Sequence, residues 1–150
     1  YDLILADKEN GKKYLKEIIS SHVSGQLKIA PEHISKDVLA LMGKPDKYPL
    51  EKFKKLFEHF NLPARKKWYL TYYFMAAHPG CSEKEMIFLQ QFIKKELSIK
   101  PEQVQIFIPA PATYSGVMYY TGRNPFNGKS IFVEKETKKK EKQKKLITNS

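Results

Sequence analysis

Two histidines and a single cysteine stand where apolar runs give way to helical patterns. His78-Pro79-Gly80-Cys81 follows the apolar run 68–77 and leads into Ser82-Glu83-Lys84-Glu85, whose serine and glutamate three positions apart make a capping-box signature. Ala30-Pro31-Glu32-His33 forms a second strand exit of this kind, and Pro109-Ala110-Pro111 a third. Turns of this type sit at the carboxyl edge of a parallel sheet, where α/β proteins bind ligands. Three such exits suggest one site built from several loops. An imidazole there could act as a general acid or hydrogen-bond donor, although a loop histidine is more often a plain polar residue. Lys28 and Glu32 could hold ribose or carboxylate groups by charged hydrogen bonds. His78 and Cys81 could supply two metal ligands, but one cysteine without a companion pair is a weak zinc signal. The chain carries no phosphate-binding glycine loop, no Ser-His-Asp order and no nucleotide fingerprint.

The elements that must position these residues alternate. Strands are predicted at 3–6, 25–30, 68–77 and 104–108, and helices at 8–21, 35–42, 50–60 and 83–97. Gly43-Lys44-Pro45 ends the second helix, and Asn61-Leu62-Pro63 stops the third. The order β-α-β-α-α-β-α-β implies parallel strands with helical crossovers. Beyond Pro111 the pattern weakens to a short helix at 114–120, a turn-rich stretch at 122–128 and a short strand at 131–133. Residues 135–149 have few apolar side chains and read as a solvated helix or a disordered tail.

Two strands have one polar and one aliphatic face. Gln26, Lys28, Ala30 and Glu32 oppose Leu27 and Ile29; Gln103, Gln105 and Phe107 oppose Val104, Ile106 and Ile108. A central parallel strand covered on both sides is apolar on both. These strands therefore belong either to an open barrel with helices outside and a central ligand, or to a half-exposed sheet whose other partner lies elsewhere.

A chain of 150 residues, 41% hydrophobic, fits one domain with a sizeable core. No apolar run approaches the roughly 20 residues of a membrane helix. A single cysteine excludes an internal disulfide framework and favours a reducing, cytoplasmic setting. The chain lacks an initiator methionine and opens on an apolar run, as expected of a piece of a longer protein. Net charge is +11, and residues 129–150 hold eight lysines against three glutamates. That balance is compatible with nucleic acid or an anionic substrate on a basic surface, but charge alone identifies no partner and a solvated lysine-rich exterior is the plainer reading.

Several segments, taken in order, resemble radical S-adenosylmethionine (radical SAM) proteins of the YgiQ type. Residues 24–33 (SGQLKIAPEH) and 38–45 (VLALMGKP) are similar to the fourth strand and the helix after it. Tyr72-Tyr73-Phe74 through His78-Pro79-Gly80-Cys81 resembles the fifth strand and its loop, and 101–111 the sixth. Met118-Tyr119-Tyr120-Thr121-Gly122 and Asn124-Pro125-Phe126-Asn127-Gly128 resemble the segment after the barrel. The resemblance implies an α/β fold: a parallel sheet of about four strands with flanking helices, half of a six-stranded, TIM-like partial barrel over 1–133, followed by a flexible lysine-rich tail over 134–150. It implies a parent enzyme that uses SAM and a [4Fe-4S] cluster held by a CxxxCxxC loop upstream of Tyr1, because Cys81 stands alone. This piece should then bind neither group tightly, should be inactive by itself, and should have the missing amino-terminal half as its partner. Carried over by strand position, Lys28 and Glu32 would approach the SAM ribose and carboxylate. His78, Pro79 and Gly80 would pack near the adenine, and the backbone of Phe107, Ile108 and Pro109 would hydrogen-bond it. The alternative is a stand-alone basic α/β module for RNA or a phosphorylated ligand.

Overall fold

The computed structural model of the chain describes residues 1–61 and 68–148. In chain order the elements are α1 (Asp2–Ala6), α2 (Gly11–Glu17), β1 (Gln26–Glu32), α3 (Lys36–Leu41), α4 (Tyr48–Asn61), β2 (Tyr69–Ala76), α5 (Glu83–Phe92), β3 (Gln103–Ile106), α6 (Tyr114–Thr121) and α7 (Thr137–Thr148). α2 and α5 each run on into a wider π-helical turn, Ile18–His22 and Ile93–Leu97.

The fold is α/β, with a parallel sheet in the order β1-β2-β3. Period-two alternation divides its faces as the sequence implied. On one face Ile29, Tyr72, Phe74, Ala76 and Val104 are buried, in the same core as Phe53 and Phe57 of α4 and Met86 and Leu89 of α5. Fully burying side chains of this size stabilises by about 1.5–3 kcal/mol each, so this face holds the helices on. On the other face Gln26, Lys28, Gln103 and Gln105 are exposed, and Thr71, Tyr73 and Met75 are half-buried. The register puts Lys28 beside Thr71, and Tyr73 beside Gln103, so the polar side chains form one continuous open surface.

The sheet has three strands among the described residues rather than about four. The first expected strand, at 3–6, is helix α1. The Asp7 amide donates to the Leu3 carbonyl at 3.0 Å, and Leu3 is 79% exposed. Four apolar residues are too few to show a period, and this run is one-sided. The stretch 131–133 is not a strand either; the local pairing is a single antiparallel bridge between Arg123 and Ser130. The helix stop read at Leu62-Pro63 lies outside the described residues.

The flexible tail expected over 134–150 is corrected as well, because residues 137–148 form α7, which packs on α5, β2 and β3. Gln143 and Ile147 are buried beneath it. Lys142 pairs with Glu83 at 2.8 Å, and Lys140 donates to the Tyr119 hydroxyl at 2.8 Å. Among the described residues no helix is long and apolar enough to cross a membrane.

The capping box of α5 forms as its sequence requires. The Ser82 hydroxyl oxygen accepts from the Lys84 amide at 3.2 Å, and the Glu85 carboxylate accepts from the Ser82 amide at 2.9 Å. Ser82→Ala removes one cap acceptor and should cost about 1 kcal/mol in a urea melt; an unchanged midpoint would show that the cap contributes nothing.

Candidate functional site

The carboxyl edge of the sheet is a row of sharp exits. Non-glycine residues adopt a positive φ at the end of β1 (Glu32, 66°), just after β2 (Ala77, 59°) and six residues past β3 (Ala112, 57°). Such conformations cost on the order of 1–3 kcal/mol and persist where their surroundings enforce them.

Glu32 sits at the centre of a γ-turn, in which the His33 amide donates to the Pro31 carbonyl at 2.8 Å. The register between β1 and β2 shifts at the same place. The Glu32 Oε1 lies 3.5 Å from Lys44 Nζ, which also donates to the Ala30 carbonyl at 2.9 Å. The other oxygen, Oε2, is buried and has no hydrogen-bond partner among the described residues. Burial pushes this carboxyl above the usual range, and the Lys44 ammonium works against that. A carboxylate oxygen that is dehydrated but unpaired is costly unless something else donates to it.

His78-Pro79-Gly80-Cys81 is a β-turn closed by the Cys81 amide on the His78 carbonyl at 2.8 Å. Proline at the second position and Gly80 at φ 88° in the third are the type II pattern. Glycine is favoured here by its φ, and a Cβ would also lie 2.3 Å from Leu41 Cδ1, which would have to move. The Gly80 amide donates to the Phe132 carbonyl at 2.7 Å, so the segment after α6 clasps this turn.

The turn's side chains form two buried chains of hydrogen bonds. In the first, His78 Nδ1 lies 2.8 Å from the Pro79 carbonyl, which can only accept, so Nδ1 carries the proton. Nε2 is then free to accept from the Ser115 hydroxyl at 2.8 Å. The ring stands edge-on to Phe107 at 4.9 Å. In the second, His33 Nδ1 accepts from the Ser35 amide at 2.9 Å, which leaves Nε2–H to meet Cys81 Sγ at 3.6 Å. The thiol in turn faces Gln143 Oε1 at 3.8 Å. That amide oxygen accepts from the Ala77 amide at 3.0 Å, and Gln143 Nε2 donates to the Cys81 carbonyl at 3.3 Å.

Burial keeps these groups neutral. It lowers His33 to about 4, lowers His78, and raises the Cys81 thiol to about 12. They act as posts holding the exits of β1 and β2 and helix α7 in one arrangement. Cys81 should therefore label with iodoacetamide at pH 8 at least about a hundredfold more slowly in the folded chain than in urea, since the thiolate is the reactive form. Comparable rates would mean that the thiol is exposed.

The other candidates occupy two different places. Lys28 projects from the open face into a cleft of about 330 Å3, with Gln26, Tyr69, Thr71 and Gln103 around it. Glu32 is four residues further on, about 13 Å along an extended strand, so the two charges do not meet. Phe107 is buried against His78 and Tyr119, whereas Ile108 is 71% exposed. Both line a cleft of about 720 Å3 along β3, with Pro109 and, on α7, Lys140 and Lys144. Tyr73 donates its hydroxyl proton to Gln105 Oε1 on this open face. Sequence reasoning missed Lys44, Ser115 and Gln143. Lys44 looked like part of a helix stop, and neither a serine at a helix start nor a glutamine among lysines announces a distant partner.

Along 148 residues, 99% of its length, the chain is 53% identical to a UPF0313 protein of Fusobacterium nucleatum. Its homologues are UPF0313 proteins. Others are from Methanosarcina acetivorans, 45% identical over 98% of the chain, and Clostridium botulinum (strain 657 / Type Ba4), 44% over 98%. The chain spans about a quarter or less of the length of these relatives: 26%, 19% and 22% respectively. A domain described as "Domain of unknown function (DUF3362)" matches residues 102–149. The match takes in β3, α6 and α7, and with them Phe107, Ser115 and Gln143. β1 and β2, with Lys28, Glu32 and His78, lie before it, in the part of the chain that aligns with the UPF0313 relatives.

Proposed function

We propose that this chain is the carboxyl-terminal half of a radical SAM partial barrel, and that its open polar face lines the cofactor cavity. The observation that carries the reading is a one-sided parallel sheet. Its helices pack on one face, its polar side chains lie open on the other, and a buried unpaired carboxylate oxygen waits at the carboxyl edge. The YgiQ-type sequence pattern supplies the identity of the cofactor.

The residues present suit part of SAM. Glu32 Oε2 lacks a donor, and a ribose hydroxyl or the methionyl ammonium supplies one. Lys28 offers an exposed cation to the carboxylate from the open face. The β2 turn, fixed by His78 and Gly80, forms a wall for the adenine, and the backbone from Phe107 to Pro109 offers it hydrogen-bonding groups. The thiolates that hold the [4Fe-4S] cluster belong to the remainder of the longer protein, since Cys81 is already engaged with His33 and Gln143. When bound, SAM and a reduced cluster would supply radical chemistry for hydrogen abstraction. The outer edge of β1 takes the next strand of the barrel, and the whole works in the cytoplasm, where thiols and clusters stay reduced.

The test uses the longer protein with its cysteines. Calorimetric SAM titration should show Glu32→Ala and Lys28→Ala binding about ten- to a hundredfold more weakly with unchanged melting. Leu27→Ala, on the helix side, should instead cost stability, up to about 2–5 kcal/mol. The 150-residue chain alone should form no 5′-deoxyadenosine. Wild-type SAM affinity in both polar variants, or SAM cleavage by the short chain reconstituted with iron and sulfide, would overturn the reading.

A further inference from the structure

A cleft of about 470 Å3 lies among α1, α2 and α4, on the helix side of the sheet, and the reading above makes no use of it. Lys8 and Lys12 line it together with Lys52 and Lys55 of α4, and His59 completes the wall. None of these four ammonium groups forms an ion pair among the described residues. Their neighbours on α4 do: Lys47 pairs with Glu51 at 3.2 Å and Lys54 with Glu58 at 3.3 Å. Among the described residues one carboxylate lines the cleft, that of Asp7, and its Oδ1 accepts the amides of Glu9 and Asn10 at 3.1 and 2.8 Å. The floor is apolar, made by the half-buried Ile4, Leu5 and Leu56.

Four unpaired cations around one concavity repel one another, and a ligand with several negative charges relieves all of them at once. Lysine suits phosphate oxygens as a point charge. A volume in the range of about 300–1,000 Å3 with an apolar lining is that of a small-molecule site. We infer that this cleft binds a small organic polyphosphate, with its phosphates among Lys8, Lys12, Lys52 and Lys55 and its apolar body on Ile4, Leu5 and Leu56. A single-stranded RNA is the poorer fit. It needs a basic track with aromatic rings for its bases, and no Phe, Tyr or Trp among the described residues lines this cleft. The inference is independent of the SAM reading, because the lysines lie on the opposite side of the sheet from Lys28.

Titration of the folded 150-residue chain with ATP, inorganic tripolyphosphate and a twelve-nucleotide single-stranded RNA decides it. ATP should bind at sub-millimolar concentration, and tripolyphosphate several-fold more weakly because it leaves the floor empty. Lys52→Gln/Lys55→Gln should weaken ATP at least about tenfold at unchanged melting temperature. Lys142→Gln, which disturbs only the pair with Glu83, should bind as wild type. No ATP binding below millimolar, wild-type affinity in the double variant, equal affinity for tripolyphosphate, or an RNA that binds more tightly than ATP through the same lysines would each overturn the inference.

Discussion

A chain ended after Glu136 should lose more than about 4 kcal/mol of stability and fail to fold cooperatively at 37 °C. The helix removed, α7, carries Ile147, which is 0% exposed within the main core, and Leu146 packs beside it. Losing a buried isoleucine costs about 2–5 kcal/mol. It also carries Gln143, whose amide satisfies the Ala77 amide and the Cys81 carbonyl. Orphaning those backbone groups adds about 1–3 kcal/mol. The ion pair of Lys142 with Glu83 is exposed and contributes little beside these. Two point variants keep the test graded: Gln143→Ala and Ile147→Ala should each cost about 2–4 kcal/mol in urea melts. If the shortened chain melted within about 1 kcal/mol of the full one, α7 would be an appendage and the flexible-tail expectation would be restored.

That helix also shows where sequence reading fails. Gln26, Leu27, Lys28 and Ile29 reveal both faces of β1, because a strand's period of two needs only four residues to declare itself. The Ser82–Glu85 spacing marks the start of α5 for the same local reason. α7 has no such signal. Its six lysines between 138 and 145 dominate the pattern, and its anchors are set by partners 62 and 66 residues away. α1 failed in the opposite direction, since an apolar quartet is equally compatible with a helix turn and a short strand. At the site, the alternation placed Lys28 and Glu32 on one face, but the γ-turn that re-aims Glu32 is a backbone property that no residue type encodes. The two histidines were correctly placed at strand exits. Their sequestration, with Ser115 and Cys81 as partners, depends on which loops close over them.

Falling pH should remove about 3 kcal/mol of stability between pH 6.5 and pH 4 through His33. Burial holds its folded value at about 4, against 6.5 for an ordinary histidine; the nearby Glu85 charge opposes the shift and His78 adds to it. In that window the unfolded chain binds the proton and the folded chain does not, so stability rises with pH and is lost as pH falls. A difference of about 2.5 pH units at 1.36 kcal/mol each gives that figure. His78, lowered by burial in the same direction, steepens the loss. Glu85, lowered by its bonds to Ser82 against the opposing effect of its own burial, extends it below pH 4.5. Glu32 acts oppositely. Its raised folded value means the folded chain takes up that proton first, which favours folding as pH falls and weakens it as pH rises through the folded value. His33→Asn isolates this contribution, because an asparagine oxygen can still accept from the Ser35 amide but cannot titrate. Unfolding free energies from urea melts at pH 7, 6, 5 and 4 should fall steeply for the wild type and by about 3 kcal/mol less for His33→Asn across the same range. Parallel curves for the two chains would show that His33 is not buried neutral, and that the network through Cys81 and Gln143 does not close as described.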